Sequence, residues 1–248
     1  MSVIEAGSAA VQSLDGLLRQ TGETAGPADP FDNESTRVLR IDVDGGVWVK
    51  PGAAIAYRGD LTFERLPTLQ AQSIRQAMLR ETAPIVRAVG KGRLFCGHRG
   101  SHVRVVRLQE ETMYVAWADL LAFEESLMFE AGLVGHGVGI AAGGLVVVKL
   151  SGRGAFAIAT HGQPLSLTVT PREPVSTDPH ATLAWSSELT PVLETDLSWL
   201  SCVVHGGHEP VQMLFTGSGF VLVQPYEDPS RFGTGTQPLK RIASLLAG

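Results

Sequence analysis

A unit of about 62 residues repeats along this chain, and the repetition limits the folds that the chain can adopt. Glycine pairs with one residue between them occur at Gly90/Gly92, Gly152/Gly154 and Gly217/Gly219. A small residue followed by an aromatic one occurs at Ala56-Tyr57, Ala122-Phe123 and Ala184-Trp185, and a leucine follows four positions later at Leu61, Leu127 and Leu189. These spacings predict three slightly irregular copies of one structural unit.

Short β-branched runs separated by glycine fill the copies, a pattern typical of strands. Alternating apolar residues mark an inward face at Ile85-Val86, Val147-Val148 and Met213, and again at Leu94/Cys96, Phe156/Ile158 and Val221/Val223. We expect Leu94, Phe156 and Val221 to have the same role around a shared interior. The glycine pairs would allow a positive φ or a bulge where each strand bends. The pattern therefore predicts a single all-β domain.

The two ends of the chain differ from the repeats in composition. Residues 1–35 predict a mobile leader with one short helix, because apolar residues have helical spacing at Val11, Leu14, Leu17 and Leu18. Residues 229–248 predict a tail with a short helix that begins near Pro238 and has one apolar face.

The β domain is predicted between these ends, over residues 36–228, with repeats at about 38–89, 90–151 and 152–225. Three segments inside it depart from strand patterns. Asp44-Gly45-Gly46 predicts a turn between two strands. Leu69 to Arg80 lacks turn residues and predicts a short helix. The glycine-rich stretch Phe129 to Gly144 predicts a flexible loop or a widened turn.

The composition narrows the class of protein. Of the 248 residues, 44% are hydrophobic and 18% are charged, which is enough apolar content to bury a substantial core. A net charge of −5 disfavours nucleic acid as a partner, because such binding needs clustered cations. The sequence shows neither a run of roughly 20 apolar residues that could cross a bilayer nor a signal pattern. We therefore expect a cytoplasmic protein.

Ordered features of the repeats resemble the AIM24 family, also called the DUF124 proteins. They are the runs WVKPGAAIAYRG, GKGRLF, VAWADLLAFEESL, GLVVVKLSGRGAFAIATHGQPL, ATLAW and FTGSGFVLVQP, which lie between Val38 and Pro225. The resemblance implies a pseudobarrel of double-stranded β-helix type with internal pseudo-threefold symmetry. It also implies a fold related to that of the tryptophan RNA-binding attenuation protein. The family has no established catalytic residues, so the resemblance transfers none.

The two cysteines, Cys96 and Cys202, are too few for a disulfide framework. Cys96 takes the position that Ile158 and Val223 take in the other copies. We therefore expect a buried, inert thiol at Cys96, because cysteine often behaves as a small hydrophobic residue. Cys202 has no such counterpart.

Seven histidines form the candidate metal or acid-base set, namely His98, His102, His136, His161, His180, His205 and His208. His98 and His102 have an even separation that could place them on one strand face. The His-x-His pair of cupin-type metalloenzymes is absent from the sequence, and a metal site needs its ligands to converge in space. We expect solvated or turn histidines, and we assign no catalytic, metal or cofactor-binding residue.

Two basic patterns have both a functional and a structural interpretation. Gly90 to Arg93 and Gly152 to Gly154 resemble anion-binding loops, but no helix pattern follows them, which favours a structural bend. Positive charge at Arg99, Arg104 and Arg107 could contact RNA. The nearby acidic residues Glu110 and Glu111 favour a solvated sheet face instead.

The aromatic residues of the repeat are the last candidate site. Tyr57, Phe123 and Trp185 could line a ligand cavity, but their recurrence favours three equivalent core positions. No Ser-His-Asp order or matched pair of carboxylates stands out in the sequence.

These observations favour a non-enzymatic protein that acts as a homo-oligomeric scaffold or binding module, because short strands with exposed edges need cover. A protein or a membrane surface is a further partner class; the membrane is suggested only by the resemblance to a mitochondrial protein. Two alternatives stay open. One is a metal-dependent or small-molecule-converting enzyme of β-helix type, and the other is an RNA-binding module, which the acidic balance disfavours.

Overall fold

The computed structural model describes residues 13–23, 29–65, 85–134, 145–195 and 211–226 of the chain. These residues form one helix, α1 (Leu14–Thr21), and fourteen strands. The strands are β1 (Phe31–Ser35), β2 (Val38–Val49), β3 (Ala54–Arg65), β4 (Val86–Cys96), β5 (His102–Ala116), β6 (Leu120–Glu124), β7 (Met128–Val134), β8 (Leu145–Thr160), β9 (Leu165–Val169), β10 (Val175–Thr177), β11 (Thr182–Ser186), β12 (Val192–Thr195), β13 (Val211–Phe215) and β14 (Gly219–Val223). The all-β class predicted from the sequence is confirmed.

Eleven of these strands form one sheet and three form another. Along the larger sheet the hydrogen-bonded order is β3-β4-β2-β6-β8-β5-β11-β14-β9, with β1 beside β2 and β7 beside β8. The smaller sheet has the order β10-β13-β12, and all strand pairs are antiparallel. Within the described residues, β3 and β9 do not pair with each other, so the larger sheet is open.

Buried apolar side chains form three clusters rather than one shared interior. Leu94 belongs to the first cluster, Phe156 to the second and Val221 to the third. All three side chains are fully buried, as predicted from the alternating apolar positions. Each cluster lies where the apolar faces of neighbouring strands meet, so the core consists of three parts.

The glycine pairs lie inside or directly beside strands. The first glycine of each pair has a positive φ, with +129° at Gly90, +106° at Gly152 and +116° at Gly217. The second glycine packs against a leucine, since an added Cβ would lie 3.0 Å from the leucine Cγ in the pairs Gly92 with Leu61, Gly154 with Leu127 and Gly219 with Leu189. In each pair, the first position therefore needs glycine for its backbone conformation, and the second needs glycine because a leucine side chain packs closely against it.

The turn predicted at Asp44-Gly45-Gly46 is wrong, because β2 runs through these residues without interruption. Gly45 has a φ of +117° and lies opposite Gly90 in the β2–β4 pair. Two facing glycines let both strands bend at the same place, so a local turn signal produces a bend here and not a chain reversal.

The loop predicted from Phe129 to Gly144 is wrong over its first part, because β7 extends to Val134. β7 pairs with β8 from Met128↔Ser151 to Val134↔Leu145. This pairing provides hydrogen bonds for the backbone of β7 and outweighs the local preference of its glycine for a loop. Residues 135–144 lie outside the described residues.

The segment predicted as a leader contains both α1 and β1. Ser13 caps α1 by accepting a hydrogen bond from the backbone N–H of Gly16 at 3.1 Å, and the apolar side chains of the helix are exposed. Phe31 on β1 is buried, and it pairs with Ile41 on β2. The sheet therefore begins at Phe31.

The helices predicted at Leu69 to Arg80 and after Pro238 lie outside the described residues. Across the parts of the chain that are described, no helix combines the length and apolar character needed to cross a membrane. The helical content of these parts is α1 alone.

Candidate functional site

The strand β3 presents exposed apolar side chains at one end of the larger sheet. Ile55 is 58% exposed, Tyr57 is 56% exposed and Phe63 is 40% exposed, whereas Leu61 is the one buried side chain of this strand. We call the outer side of β3, with Ile55, Tyr57 and Phe63, the β3 edge. Exposed apolar residues on an end strand are unusual, because such edges are normally protected by charge, proline or cover.

Strands β3, β6 and β11 hold the recurring aromatic residue in the same register. Tyr57 pairs with Leu94, Phe123 with Phe156 and Trp185 with Val221. In each strand a register shift comes directly before the aromatic pair, between Ala54/Ala56, Leu120/Ala122 and Thr182/Ala184. The three strands are therefore positioned alike by their inner neighbours.

The prediction that Tyr57, Phe123 and Trp185 occupy equivalent core positions is wrong for Tyr57. Phe123 and Trp185 are fully buried, whereas more than half of the Tyr57 side chain is exposed. The difference arises on the outer side of each strand. β2 pairs with β6 and β5 pairs with β11, but among the described strands β3 has a neighbour on one side only.

Aromatic stacking accompanies both of these outer pairings. Trp48 on β2 lies opposite Phe123 with ring centroids 6.4 Å apart, and Tyr114 on β5 lies opposite Trp185 with centroids 5.6 Å apart. In both pairs the rings are stacked. A partner strand thus supplies the side chain that covers the aromatic residue of β6 or β11.

The β3 edge has the same ring geometry as its buried counterpart on β6 and β7. Tyr57 and Phe63 meet edge to face with centroids 5.2 Å apart, and Phe123 and Phe129 do so at 5.1 Å. Trp48 covers the second pair, because its ring also lies 5.4 Å from that of Phe129. The aromatic pair of the β3 edge is therefore arranged like a core pair, but no strand among the described residues covers it.

A groove of about 430 Å³ lies beside Trp185, between strands β5, β7, β8 and β11. Its walls include Tyr114, Glu130 and Lys149, and the last two form an ion pair at 3.8 Å. The indole N–H of Trp185 is buried and has no hydrogen-bond acceptor among the described residues. Trp185 therefore fills a core position and also lines this groove.

The four described histidines do not form a metal site. His98 precedes β5 and His102 begins it, so these two residues do not lie on one strand. His161 stacks on Tyr226 with centroids 4.1 Å apart, and its Nε2 lies 3.2 Å from the hydroxyl of Ser101. The backbone N–H of His180 donates to the carboxylate of Asp178 at 2.6 Å.

The remaining metal-ligand candidates divide between described and undescribed parts of the chain. Within the described ranges, no three His, Cys, Asp or Glu side chains come together in a way that could hold a metal ion. His136, His205 and His208 lie outside these ranges.

Cys96 is fully buried on β4, as its repeat counterparts predicted. Burial raises the pKa of the Cys96 thiol to about 12, because the thiolate loses its hydration in an apolar environment. At neutral pH the thiol is therefore protonated and a poor nucleophile. Cys202 lies outside the described residues.

The arginines considered for RNA binding are engaged with other side chains or lie in a turn. Arg107 forms ion pairs with Asp29 and Glu124, and Arg104 donates a hydrogen bond to Gln163. Arg99 has a positive φ of 46° and lies just before β5. The glycine segments at 90–93 and 152–154 lie within β4 and β8, so neither precedes a helix as an anion-binding loop would.

Known proteins share a family signature and a fold with this chain. The family described as Mitochondrial biogenesis AIM24 matches residues 31–226. The crystal structure of protein SPYM3_0169 from Streptococcus pyogenes is similar, with a TM-score of 0.63 and 20% sequence identity over 88% of this chain and 96% of that chain. At this identity the likeness shows the fold alone. No curated protein sequence matches the chain.

Proposed function

This chain belongs to the AIM24 family, and on that premise we propose that it is a non-enzymatic scaffold that assembles with further copies of itself. The observation that carries the proposal is the β3 edge, where Ile55, Tyr57 and Phe63 are exposed on an end strand. A strand edge of this kind is a template for pairing with another chain. Pairing would bury both the apolar side chains and the unpaired backbone groups.

Three structural copies related by pseudo-threefold symmetry are part of this proposal. Their support is the shared register of β3, β6 and β11 and the matching contacts of three glycines with Leu61, Leu127 and Leu189. A pseudobarrel like that of the tryptophan RNA-binding attenuation protein would follow if the open ends of the sheet were covered. Assembly between copies is one way to cover them.

The reactive residue types of the described chain have structural roles, which supports a non-catalytic function. Cys96 is buried with a raised pKa, and His161 is stacked on Tyr226. Arg107 is held between Asp29 and Glu124. Side chains engaged in this way stabilise the sheet and are poorly placed to bind RNA or to act as nucleophiles.

The oligomeric state tests the proposal. We expect light scattering on the purified full chain to give a mass above 26.4 kDa that rises with protein concentration in the micromolar range. A mass of one chain at every concentration would contradict it. Elemental analysis of the same sample tests the alternative class, because a stoichiometric metal would indicate a metal-dependent enzyme.

A further inference from the structure

We propose that β3 of one copy pairs antiparallel with β10 of a second copy, head to tail, with Tyr57 directly opposite Ser176. This inference rests on the proposed function, since it names the surfaces through which the scaffold assembles. It follows from a comparison of the β3 edge with the two strand junctions that the chain makes internally.

The two internal junctions are short and share one register. β2 and β6 pair over three residue pairs, with Trp48 opposite Phe123 at the centre. β5 and β11 also pair over three residue pairs, with Tyr114 opposite Trp185 at the centre. In both, an aromatic residue of the repeat is covered by the strand on its outer side.

Strand β10 is the third member of the series that begins with β2 and β5. β2 pairs with β4, β5 with β8 and β10 with β13. The corresponding residue pairs in these three contacts are Trp48↔Arg87, Tyr114↔Lys149 and Ser176↔Leu214. The spacing agrees, because Tyr114 and Ser176 lie 62 positions apart, like the glycine pairs and aromatic pairs of the same two copies. Ser176 therefore corresponds to Trp48 and Tyr114.

A third junction of this kind would pair β10 with β3, but these two strands do not pair within the described part of the chain. Each of them has a free side there. β10 is an end strand of the smaller sheet, with β13 as its one neighbour. β3 is an end strand of the larger sheet, with β4 as its one neighbour. β10 has three residues, Val175–Thr177, the same length as each internal junction.

A second copy is the occupant that the geometry favours. Within one chain β3 and β10 belong to different sheets and do not pair, and Tyr57 is 56% exposed. Among the described residues this register is not completed inside one chain, and a second copy can supply the missing strand. Because β3 and β10 are different surfaces, the contact is head to tail and leads to a ring or to a filament.

The side chains at this junction predict a weaker contact than the two inside the chain. Val175 would lie opposite Arg58 and Thr177 opposite Ala56, and Ser176 offers no ring to stack on Tyr57. Aromatic pairs add stabilisation beyond that of their buried area, and this junction lacks that contribution. Assembly should therefore be reversible and dependent on concentration.

Cysteine cross-linking tests the register directly. Chains carrying either Tyr57→Cys or Ser176→Cys, both with Cys202→Ser, are mixed and treated with a short bis-maleimide. Directly opposed residues in an antiparallel pair have Cβ atoms roughly 4.5–5.5 Å apart, well within reach. We expect a covalent dimer from the mixture and none from either chain alone, while the parent chain with Cys202→Ser serves as the control for Cys96.

Each other outcome overturns the inference in a distinct way. Cross-linking of the Tyr57→Cys chain alone would show that two β3 edges meet across a two-fold axis. An internal cross-link in a single chain with both substitutions would show that the ring closes within one chain. Oligomers by light scattering without any cross-link would leave the proposed function standing and reject this junction, whereas a monomer at all concentrations would reject both.

A charge substitution gives an independent readout. We expect Tyr57→Lys to weaken self-association by about tenfold or more, because a lysine on an edge strand opposes pairing. Leu165→Lys is the matched control, since Leu165 is 57% exposed on β9 at the other end of the same sheet. Equal weakening by both substitutions, or weakening by Leu165→Lys alone, would overturn the assignment to β3.

Discussion

Trp48 lies directly opposite Phe123 across the β2–β6 pair, and the two rings stack with centroids 6.4 Å apart. The two residues lie on different strands and are 75 positions apart in the chain. The burial of Phe123 therefore depends on a long-range pairing. Tyr57 has a corresponding inner neighbour, Leu94 on β4, but no outer neighbour among the described strands, which makes Tyr57 and Phe123 a natural comparison.

Truncation of the two aromatic residues should have unequal effects on stability. We expect Phe123→Ala to lower the free energy of unfolding by about 3 to 5 kcal/mol, because it opens a cavity among buried side chains. Tyr57→Ala should change it by no more than about 1 kcal/mol at concentrations where the chain is monomeric. Urea unfolding curves measure both, and similar losses would contradict the exposure of Tyr57.

The facing glycines Gly45 and Gly90 should differ in their tolerance of a side chain. Both have a positive φ, so alanine at either position costs roughly 1 to 3 kcal/mol in backbone strain. At Gly90 an added Cβ also meets the backbone carbonyl of Asp60, whereas at Gly45 it meets nothing within 4 Å. We expect Gly90→Ala to shift the urea midpoint further than Gly45→Ala, and the reverse order would contradict the close approach of β3 and β4.

Lys50 should contribute more to stability than an exposed lysine of the same sheet. Its Nζ donates hydrogen bonds to the carbonyls of Ala118 at 2.7 Å and Trp117 at 3.2 Å, which ties the end of β2 to the turn before β6. We expect Lys50→Met to cost about 1 to 3 kcal/mol, because these carbonyls lose a charged donor.

Lys91→Met is the control for Lys50→Met. The Lys91 side chain is 83% exposed and pairs with Asp44 at 3.6 Å, so its removal should leave the thermal midpoint nearly unchanged. Equal shifts in the two melting curves would show that the hydrogen bonds of Lys50 add nothing to the folded state.

Cys96 should resist alkylation and should make stability fall at high pH. Its pKa is raised from 9.0 to about 12 in the folded chain, so between these values the unfolded state loses a proton that the folded state keeps. Stability contributed by the buried thiol is complete below pH 9 and is lost as the pH rises toward 12. The total loss is on the order of a few kcal/mol.

Cys96→Val separates this effect from other high-pH titrations, since valine fills the counterpart position at Val223. The difference in unfolding free energy between Cys96→Val and the parent chain should grow with pH above 9. A constant difference, or rapid reaction of Cys96 with iodoacetamide in the folded chain, would contradict the burial of this thiol.

The sequence alone determined several of the buried positions. Period-two alternation placed Leu94, Phe156 and Val221 in buried positions, and comparison between copies identified Cys96 as a core residue. The glycine pairs indicated where strands bend. Such features are local, because the backbone period and the conformational freedom of glycine act within a few residues.

Only the tertiary structure decided how strands meet at their edges. It made Asp44-Gly45-Gly46 part of a continuous strand, because Gly45 faces Gly90 across the sheet. It also left Tyr57 exposed while Phe123, at the equivalent place in its strand, is buried. The physical reason is that pairing at a strand edge joins residues that are distant in the chain. Two residues in similar local sequences therefore differ in burial when one lies on a strand with two neighbours and the other on a strand with one.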